Sequence, residues 1–546
     1  MFSAQLQTDL TILSYRSRKS KTLSNRPPLM DQDRPRRRRR RHRRHRRRSG
    51  EDHISGHPDE LLHTILLHLG SARAAARTCV LSRRWRPVWV HLPELVFGNA
   101  SHDAPPPTPT SFLDAVDSAL SAYAAPTLEA LVVVMPTAAS HDVPAGRVAP
   151  WLRFAAERVA GDLVLFMPSP RSRFDPIHEL EVDYWQELSS SILLGHTWEG
   201  AVLELPTCER AKTITLRLKQ DWRLRLWRAG AFAALASLRI LCGCMEGSEL
   251  TALVCTQCPY LKELRLCVTL VDASDVSIRS DSLQSLSFSV KGILQLEVVT
   301  PRLEYLCVGE ATNEARYARI SAPKLERVVW CVDTYDPHQH RFEGVGRRLR
   351  LLDVCGNFIA GLLMQRFDKV DELQLGIYIP RAIAAYERFL KETNKLPKCE
   401  TMNITLESDH KGLAPVMLHL LRSSSRTKKV SVQLIDGPSD YASWCSCQPS
   451  CPCRFKENNR IDGIDLNSLE EIEITSYKIF GDGLFKFVDQ LSRCNVPILK
   501  RFVLGHRMFS VPSQTKLVCE KIHSMYSPKI EVECYDFLDG MWVRVD

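Results

Sequence analysis

The sequence predicts an α/β protein in which a small three-helix domain precedes a solenoid of short parallel strands. Three observations carry this. The template L-x-x-L-x-L, with other apolar residues allowed, recurs at Leu261/Leu264/Leu266, Leu283/Leu286/Phe288, Leu303/Leu306/Val308, Leu325/Val328/Trp330, Leu349/Leu352/Val354 and Val370/Leu373/Leu375. Its starts lie 22, 20, 22, 24 and 21 residues apart, so the matches form a register and not a scatter of apolar strands. Ahead of them, residues 51–97 hold a compact helical pattern with two tryptophans, Trp85 and Trp89, one turn apart.

The chain has 546 residues, 44% hydrophobic and 25% charged, which is ordinary globular composition and enough for several domains. The formal charge of +10 comes from 73 Lys+Arg against 63 Asp+Glu. Arg34–Arg48 alone contributes 12 Arg, with two His, one Pro and no acid; setting those 12 aside leaves 61 basic residues against 63 acidic. A generally basic, nucleic-acid-binding fold is therefore not supported; a neutral to slightly acidic protein with one basic tail is. Like charges at this density repel, so residues 1–50 are expected to be disordered. The basic run reads as a nuclear-localisation signal, with a phosphate-binding tail or a merely solvated one as alternatives. No aromatics interleave it, which argues against single-strand recognition. No apolar run reaches membrane-spanning length, Arg239 interrupting the best candidate, Ala229–Met245. Asp9 inside the only apolar stretch of the N-terminus argues against a secretory signal; residues 1–29 have a weak transit-peptide character, and Met1 and Met30 stand as alternative starts.

The elements follow in order. Pro58 opens a helix with Asp59 and Glu60 in its first turn, facing the positive end of the dipole. Leu61, Leu62, Ile65, Leu66 and Leu69 form its apolar face, and Gly70 stops it. Ser71–Thr78 is Ala-rich and helical; Val80-Leu81-Ser82 leads into a third helix, with Ser82 as N-cap. So small a domain buries little surface, so its aliphatic and Trp surface should find a partner. After a Pro-rich linker at 103–110, Leu113–Ala122 reads as helix, Leu131–Val134 as strand, Trp151–Ala160 as helix and Leu163–Phe166 as strand. The repeats come next, their spacing inside the roughly 20–29-residue range of leucine-rich repeats. Ala384–Leu396 and Leu413–Leu421 are helical and Lys429–Leu434 is a strand. Leu469/Ile472/Ile474 and Leu499/Phe502/Leu504 repeat the strand template, then a helix at Gln514–Met525 and a strand at Ile530/Val532/Cys534 close the chain.

Eleven of the 18 cysteines lie between Cys79 and Cys399 in mostly apolar segments and read as reduced core residues. Cys445, Cys447, Cys451 and Cys453 form the densest cluster, a weak candidate for tetrahedral metal binding because C-x-C pairs are tighter than structural zinc sites use. Cys255-x-x-Cys258 reads as structural, and Asp333, Asp336, His338 and His340 as a polar loop. No phosphate loop, dinucleotide fingerprint, H-E-x-x-H or G-x-S-x-G is present, so neither a catalytic residue nor a cofactor is assigned. In the repeats the template residues point inward. The alternating positions Glu263, Arg265, Cys267, Ser285, Ser287, Ser289, Tyr305, Cys307, Arg327 and Val329 then line the concave face. That row is mixed and mostly small, which suits a protein more than a polyanion; Glu263, Arg265, Ser285, Ser287, Tyr305 and Arg327 are its candidate substrate contacts.

Residues 52–66, Asp-His-Ile-Ser-Gly-His-Pro-Asp-Glu-Leu-Leu-His-Thr-Ile-Leu, and 77–89, Arg-Thr-Cys-Val-Leu-Ser-Arg-Arg-Trp-Arg-Pro-Val-Trp, resemble a plant-type F-box. His57 departs from the family pattern, which has Leu before the Pro. Ser468–Thr475 and Pro497–Phe502 resemble the FBD-type ending of plant F-box/leucine-rich-repeat proteins. The resemblance implies a leucine-rich-repeat solenoid preceded by a three-helix F-box domain: a basic tail (1–50), the F-box (51–97), the solenoid (98–435), a Cys-rich loop (436–465) and an FBD-like cap (466–546). It further implies a non-catalytic substrate-recognition subunit of an SCF-type cullin-RING ubiquitin ligase. Its partners would be a Skp-type adaptor, through it cullin and RING subunits, and a protein substrate. Pro58, Leu61, Leu62, Ile65, Leu66, Val80, Leu81, Ser82, Trp85 and Trp89 would carry the adaptor contact or its immediate packing. The alternative is a nuclear repeat scaffold or nucleic-acid-associated factor whose F-box has degenerated at His57.

Overall fold

The computed structural model describes residues 57–81, 83–98, 109–136, 143–167, 200–227, 230–309, 312, 315–332, 335–355, 360–378, 383–407, 413–424, 426–435, 465–476, 482–506, 520, 522–524, 530–538 and 541–544. The chain forms two compact units, divided at Ser172/Arg173.

In the first unit, Pro58 holds the N-cap position of α1 (Asp59–Leu67) at φ −57°, and Gly70, at φ +66°, ends the turn that follows. Next come α2 (Ala72–Arg77), a 3₁₀ turn (Thr78–Val80) and the single-turn α3 (Trp85–Val88). Leu62, Leu66, Ala72, Ala75, Trp85, Val88 and Leu92 are buried, so this small core is already filled from within. Three parallel strands follow, β1 (Glu94–Phe97), β2 (Leu128–Val134) and β3 (Val159–Phe166), joined through α4 (Pro109–Ala122) and α5 (Ala145–Arg158). The two helices are tied polar side to polar side. Arg147 donates to Asp114 (2.8 Å) and Asp117 (2.6 Å), and Trp151 Nε1–H donates to Asp117 (2.6 Å). The expected helix at Trp151–Ala160 is corrected in both directions: α5 begins at Ala145, carrying Pro150 inside it, and yields to β3 at Val159. The β-branched Val159, pairing with Leu128, starts the strand earlier than the apolar pattern at Leu163 suggests.

The second unit is a leucine-rich-repeat solenoid of two layers. Its first layer is a parallel sheet running β5 (Thr213–Arg217), β7 (Ser237–Met245), β8 (Glu263–Arg279), β9 (Ser285–Val299), β10 (Tyr305–Val308), β12 (Arg327–Trp330), β14 (Arg348–Val354), β15 (Lys369–Tyr378), β16 (Thr401–Glu407), β17 (Lys429–Ile435), β18 (Glu471–Ser476), β19 (Arg501–His506) and β20 (Glu531–Leu538). A short β21 (Met541–Arg544) adds antiparallel to β20. The second and third template residues point inward and are buried along the whole sheet. The near-constant spacing has a backbone cause. At most repeats one carbonyl of the preceding turn receives two successive N–H groups. Ala236 receives Lys262 and Glu263, Lys262 receives Gln284 and Ser285, Gln284 receives Glu304 and Tyr305, and Glu304 receives Glu326 and Arg327. Glu400, Lys428 and Glu470 do the same farther along, across the wider repeats.

The second layer differs from a row of helices. β4 (Val202–Leu205) pairs with β6 (Arg223–Leu226), and the far halves of β8 and β9 pair with each other and onward with β11 (Tyr317–Ser321) and β13 (His340–Glu343). One strand serves both layers because it bends. The β8–β9 register shifts between Thr269 and Val276, and Gly292, at φ +85°, turns β9 at the same level. α6 (Gly247–Ala252) fills the gap before β8, and the layer turns helical at α7 (Gly361–Arg366). α8 (Ile383–Glu392), α9 (Leu413–Ser423) and α10 (Asp482–Ser492) continue it. Phe342 of β13 meets Phe367 at 5.1 Å, Gly361 abuts Glu392, and Phe389 faces His419 at 6.0 Å, so strand and helix parts are continuous.

The α8–α9 contact carries a pH-sensitive group. The Thr393 hydroxyl donates to the Phe389 carbonyl (2.7 Å), leaving its oxygen to accept from His419 Nε2 (2.8 Å). Burial, helped by Arg422, holds the His419 imidazole down at about 4, against the ordinary 6.5. Because the folded value lies below the unfolded one, the contribution is complete above pH 6.5. It is lost as the pH falls from 6.5 through 4, by about 3 kcal/mol. Urea midpoints measured from pH 7 to pH 4 should fall more steeply for the native protein than for H419Q.

Candidate protein-binding surfaces

Two surfaces take the residues singled out in the sequence. On α1 the five aliphatics occupy two stripes, not one face. Leu62 and Leu66 point into the helical core, while Leu61, Ile65 and Leu69, at i, i+4 and i+8, run along the outside. Leu61, Ile65 and Leu69 are 49%, 41% and 41% exposed, and Val80 and Leu81, in the turn after α2, are 87% and 67% exposed. The helical segment is thus packed within and apolar without. Trp85 belongs to the core, beside Val88, and Trp89 is half-buried. Leu62, Leu66 and Trp85 therefore can only support a contact made by their neighbours. Pro58 is exposed at the head of α1; Ser82 lies outside the described residues. The side chain of His57 is exposed, and its carbonyl accepts from Arg84 (2.5 Å), which also reaches Asp59 (3.0 Å). The departure from Leu thus stands at the margin of the patch and leaves the backbone tie between α1 and α3 intact.

The second surface is the open face of the long sheet, opposite the second layer. Register places Glu263 beside Ser285, Arg265 beside Ser287, Tyr305 between Ser285 and Arg327, and Cys307 beside Val329. All six candidate substrate contacts lie on this face; Glu263 is exposed and Arg265, Ser285, Ser287, Tyr305 and Arg327 are half-buried. The Arg327 guanidinium lies over the Tyr305 ring at 5.2 Å. Next to that pair the face is apolar: Cys307, Val329 and Cys331 form a buried cluster against which Tyr305 and Cys355 pack. Burial pushes the Cys307 thiol up to about 11 and the Tyr305 hydroxyl far above the usual phenol range. It also lifts the neighbouring Asp353 carboxyl to about 7, with the charge of Glu372 adding to the effect.

One cysteine assignment is corrected. Cys331 and Cys355 are joined by a disulfide, their Cα atoms 4.6 Å apart. Each follows the last residue of its strand, Trp330 and Val354, and those residues pair in register, so the next two side chains meet on the open face. Cys258 and Cys208 conform to the structural reading: both are buried and their thiols are pushed up to about 12. Cys255 Sγ donates to the Ser277 carbonyl (3.4 Å). The loop at Asp336–His340 is a folded turn: His338 N–H donates to Asp336 Oδ1 (2.8 Å) and Asp336 N–H to His340 Nδ1 (3.1 Å). Burial depresses the His340 imidazole, whose ring lies 5.6 Å from Trp330 and 5.7 Å from Tyr335. Asp333 and the Cys445/Cys447/Cys451/Cys453 cluster lie outside the described residues, and among those described no group of three or more metal-ligating side chains converges.

Residues 148–344 match the family model for the LRR repeats of FBD-associated F-box protein At5g56370. Curated relatives come from Arabidopsis thaliana. F-box protein At5g03100 is 32% identical over 116 residues, 21% of this chain and 33% of that protein. F-box/FBD/LRR-repeat protein At2g04230 is 45% identical over 84 residues, 15% of this chain and 18% of that protein. FBD-associated F-box protein At5g38590 is 26% identical over 263 residues, 47% of this chain and 55% of that protein. The chain is related to the plant F-box/LRR-repeat proteins of the FBD type. It spans 33%, 18% and 55% of these three relatives. The family match ends at residue 344, just past β13, where the second layer passes from strands to helices.

Proposed function

We propose that this protein is a substrate-recognition subunit of an SCF-type cullin-RING ubiquitin ligase. In this reading the helices at 57–92 form an F-box that docks a Skp-type adaptor, and the open face of the repeats holds a protein substrate. The observation that carries it is the outer stripe Leu61/Ile65/Leu69 with Val80 and Leu81, left exposed by a helical core that is already full. Burying one such aliphatic side chain is worth about 1.5–3 kcal/mol, and a set this concentrated is costly to leave in water without a partner. The protein supplies no chemistry of its own. It brings a substrate and a ubiquitin-charged enzyme together, which raises their effective concentration.

Co-expression with a Skp-type adaptor and cullin tests this: the full chain should co-elute with both in one complex. Elution of the chain alone supports the rival reading, a nuclear scaffold whose helical domain lost its adaptor at His57, whose exposed imidazole replaces the family's apolar residue. We propose also that Arg34–Arg48 directs the protein to the nucleus. Deleting residues 34–48 should move a fluorescent fusion to the cytoplasm with adaptor capture unchanged; loss of capture would show that tail and adaptor site are not separable.

A further inference from the structure

The open face changes sign along the solenoid. Across β5 to β12, its three central rows carry Arg217, Arg239, Arg265 and Arg327 against Glu263. Across β14 to β20, the same rows carry Asp353, Glu372, Glu471, Glu473, Glu531 and Glu533 against Lys429 and Arg501. With Arg217 and Glu533, which are buried, and Asp353, whose carboxyl burial raises, set aside, these charges sum to +2 on the first stretch and −2 on the second. Both cations of the acidic stretch are already engaged. Lys429 sits 3.2 Å from Glu471 and 3.4 Å from Glu473, while Arg501 pairs with Glu471 (2.9 Å) and with Glu533. The acidic excess therefore stands beyond what the protein neutralises itself. Between the two stretches lies the uncharged seam of Cys307, Val329, Cys331 and Leu351.

We propose that this face binds a protein partner whose contacting strip is itself charge-segregated, with an acidic stretch against β5–β12, an apolar centre against the seam and a basic stretch against β14–β20. The inference rests on the repeats being the substrate-holding part and names the substrate's chemistry. A polyanion is disfavoured by the acidic stretch and a uniformly basic segment by the arginines, so electrostatic complementarity selects a dipolar strip. Its length follows from the sheet. Arg239 on β7 and Glu531 on β20 are eleven strand steps apart. At about 4.8 Å per step this is roughly 50 Å, or about 15 residues of extended chain.

Two labelled 16-residue peptides of one composition test this by fluorescence anisotropy on the full chain. One has an acidic half, a Tyr-Leu centre and a basic half; in the other the charges are intermixed. The segregated peptide should bind at least tenfold tighter, by an amount that shrinks as salt shortens the screening length. R239E/R265E and E473K/E531K should each remove that preference, and the four-fold swap should restore it, because the peptide can lie the other way. Restoration separates charge matching from misfolding. Equal binding of the two peptides, or failure of the four-fold swap to restore a preference lost in the two-fold variants, would overturn the proposal. Adaptor capture is measured on the same variants. If it is absent while the peptide preference stands, the ligase reading fails and this inference survives; the reverse result fails this inference alone.

Discussion

L61D/I65D should abolish capture of a Skp-type adaptor while leaving the protein folded. Leu61 and Ile65 lie on the outer stripe of α1, about half exposed, and neither belongs to the buried core made by Leu62, Leu66, Trp85 and Val88. Losing two aliphatic contacts removes about 3–6 kcal/mol of binding, and placing two carboxylates in a desolvated interface adds to it. The dissociation constant should therefore rise by roughly a thousandfold or more. Stability should change little, since outward-facing substitutions that break no core contact usually fall within about 0.5 kcal/mol each. Leu62→Ala is the contrasting variant. It empties a fully buried site and should cost about 2–5 kcal/mol of stability, so any loss of capture comes through unfolding. Calorimetric titration of adaptor, paired with thermal melts of each variant, separates the two.

The second large effect is on the solenoid. W330A should lower stability by about 3–5 kcal/mol, because it removes a buried indole. Trp330, the last residue of β12, is buried and ties the two layers together. Its ring lies 5.7 Å from Tyr335, 5.6 Å from His340 and 6.2 Å from Phe342 of β13, and Phe342 passes the contact on to Phe367 after α7. This is where the second layer turns from strands to helices, so the cavity opens at its junction. Solenoid repeats lean on nearest neighbours only, so unfolding should start between β10 and β15 and reach the flanks later. Urea denaturation with limited proteolysis checks both magnitude and place. A change under 1 kcal/mol would mean the aromatic cluster is not holding the layers together.

The first layer was legible because its signal is local and periodic. Leu264/Leu266, Leu286/Phe288 and Leu306/Val308 alternate as an inward row must, and the paired N–H groups stacked on Ala236, Lys262 and Gln284 explain why the spacing hardly varies. The second layer was not legible. Tyr317–Ser321 and His340–Glu343 are too short for a period to stand out, and in β8 and β9 the crossing into that layer is made by a register shift and one glycine in the middle of an otherwise continuous strand. In α1, Leu61/Ile65/Leu69 and Leu62/Leu66 lie about 100° apart, near enough to read as one face. Only the packing of Trp85 and Val88 shows which stripe is spent in the core. His340 reads as part of a polar loop because its aromatic neighbours, Trp330 and Tyr335, are brought to it only by the fold. Cys331 and Cys355, 24 residues apart, meet only through strand register. The sign change along the open face was hidden for a similar reason. The four repeats from Glu263 to Val329 sample one stretch, and four of the six acids beyond it, Glu471, Glu473, Glu531 and Glu533, arrive only with the wider-spaced repeats.

Hydrogen exchange of the full chain, with and without a saturating Skp-type adaptor, tests the central claim most directly. Adaptor should slow exchange in Asp59–Leu69 and in Thr78–Leu81 and leave the strands of the long sheet unchanged. No protection in the helical segment, or protection confined to the open face of the repeats, would contradict it.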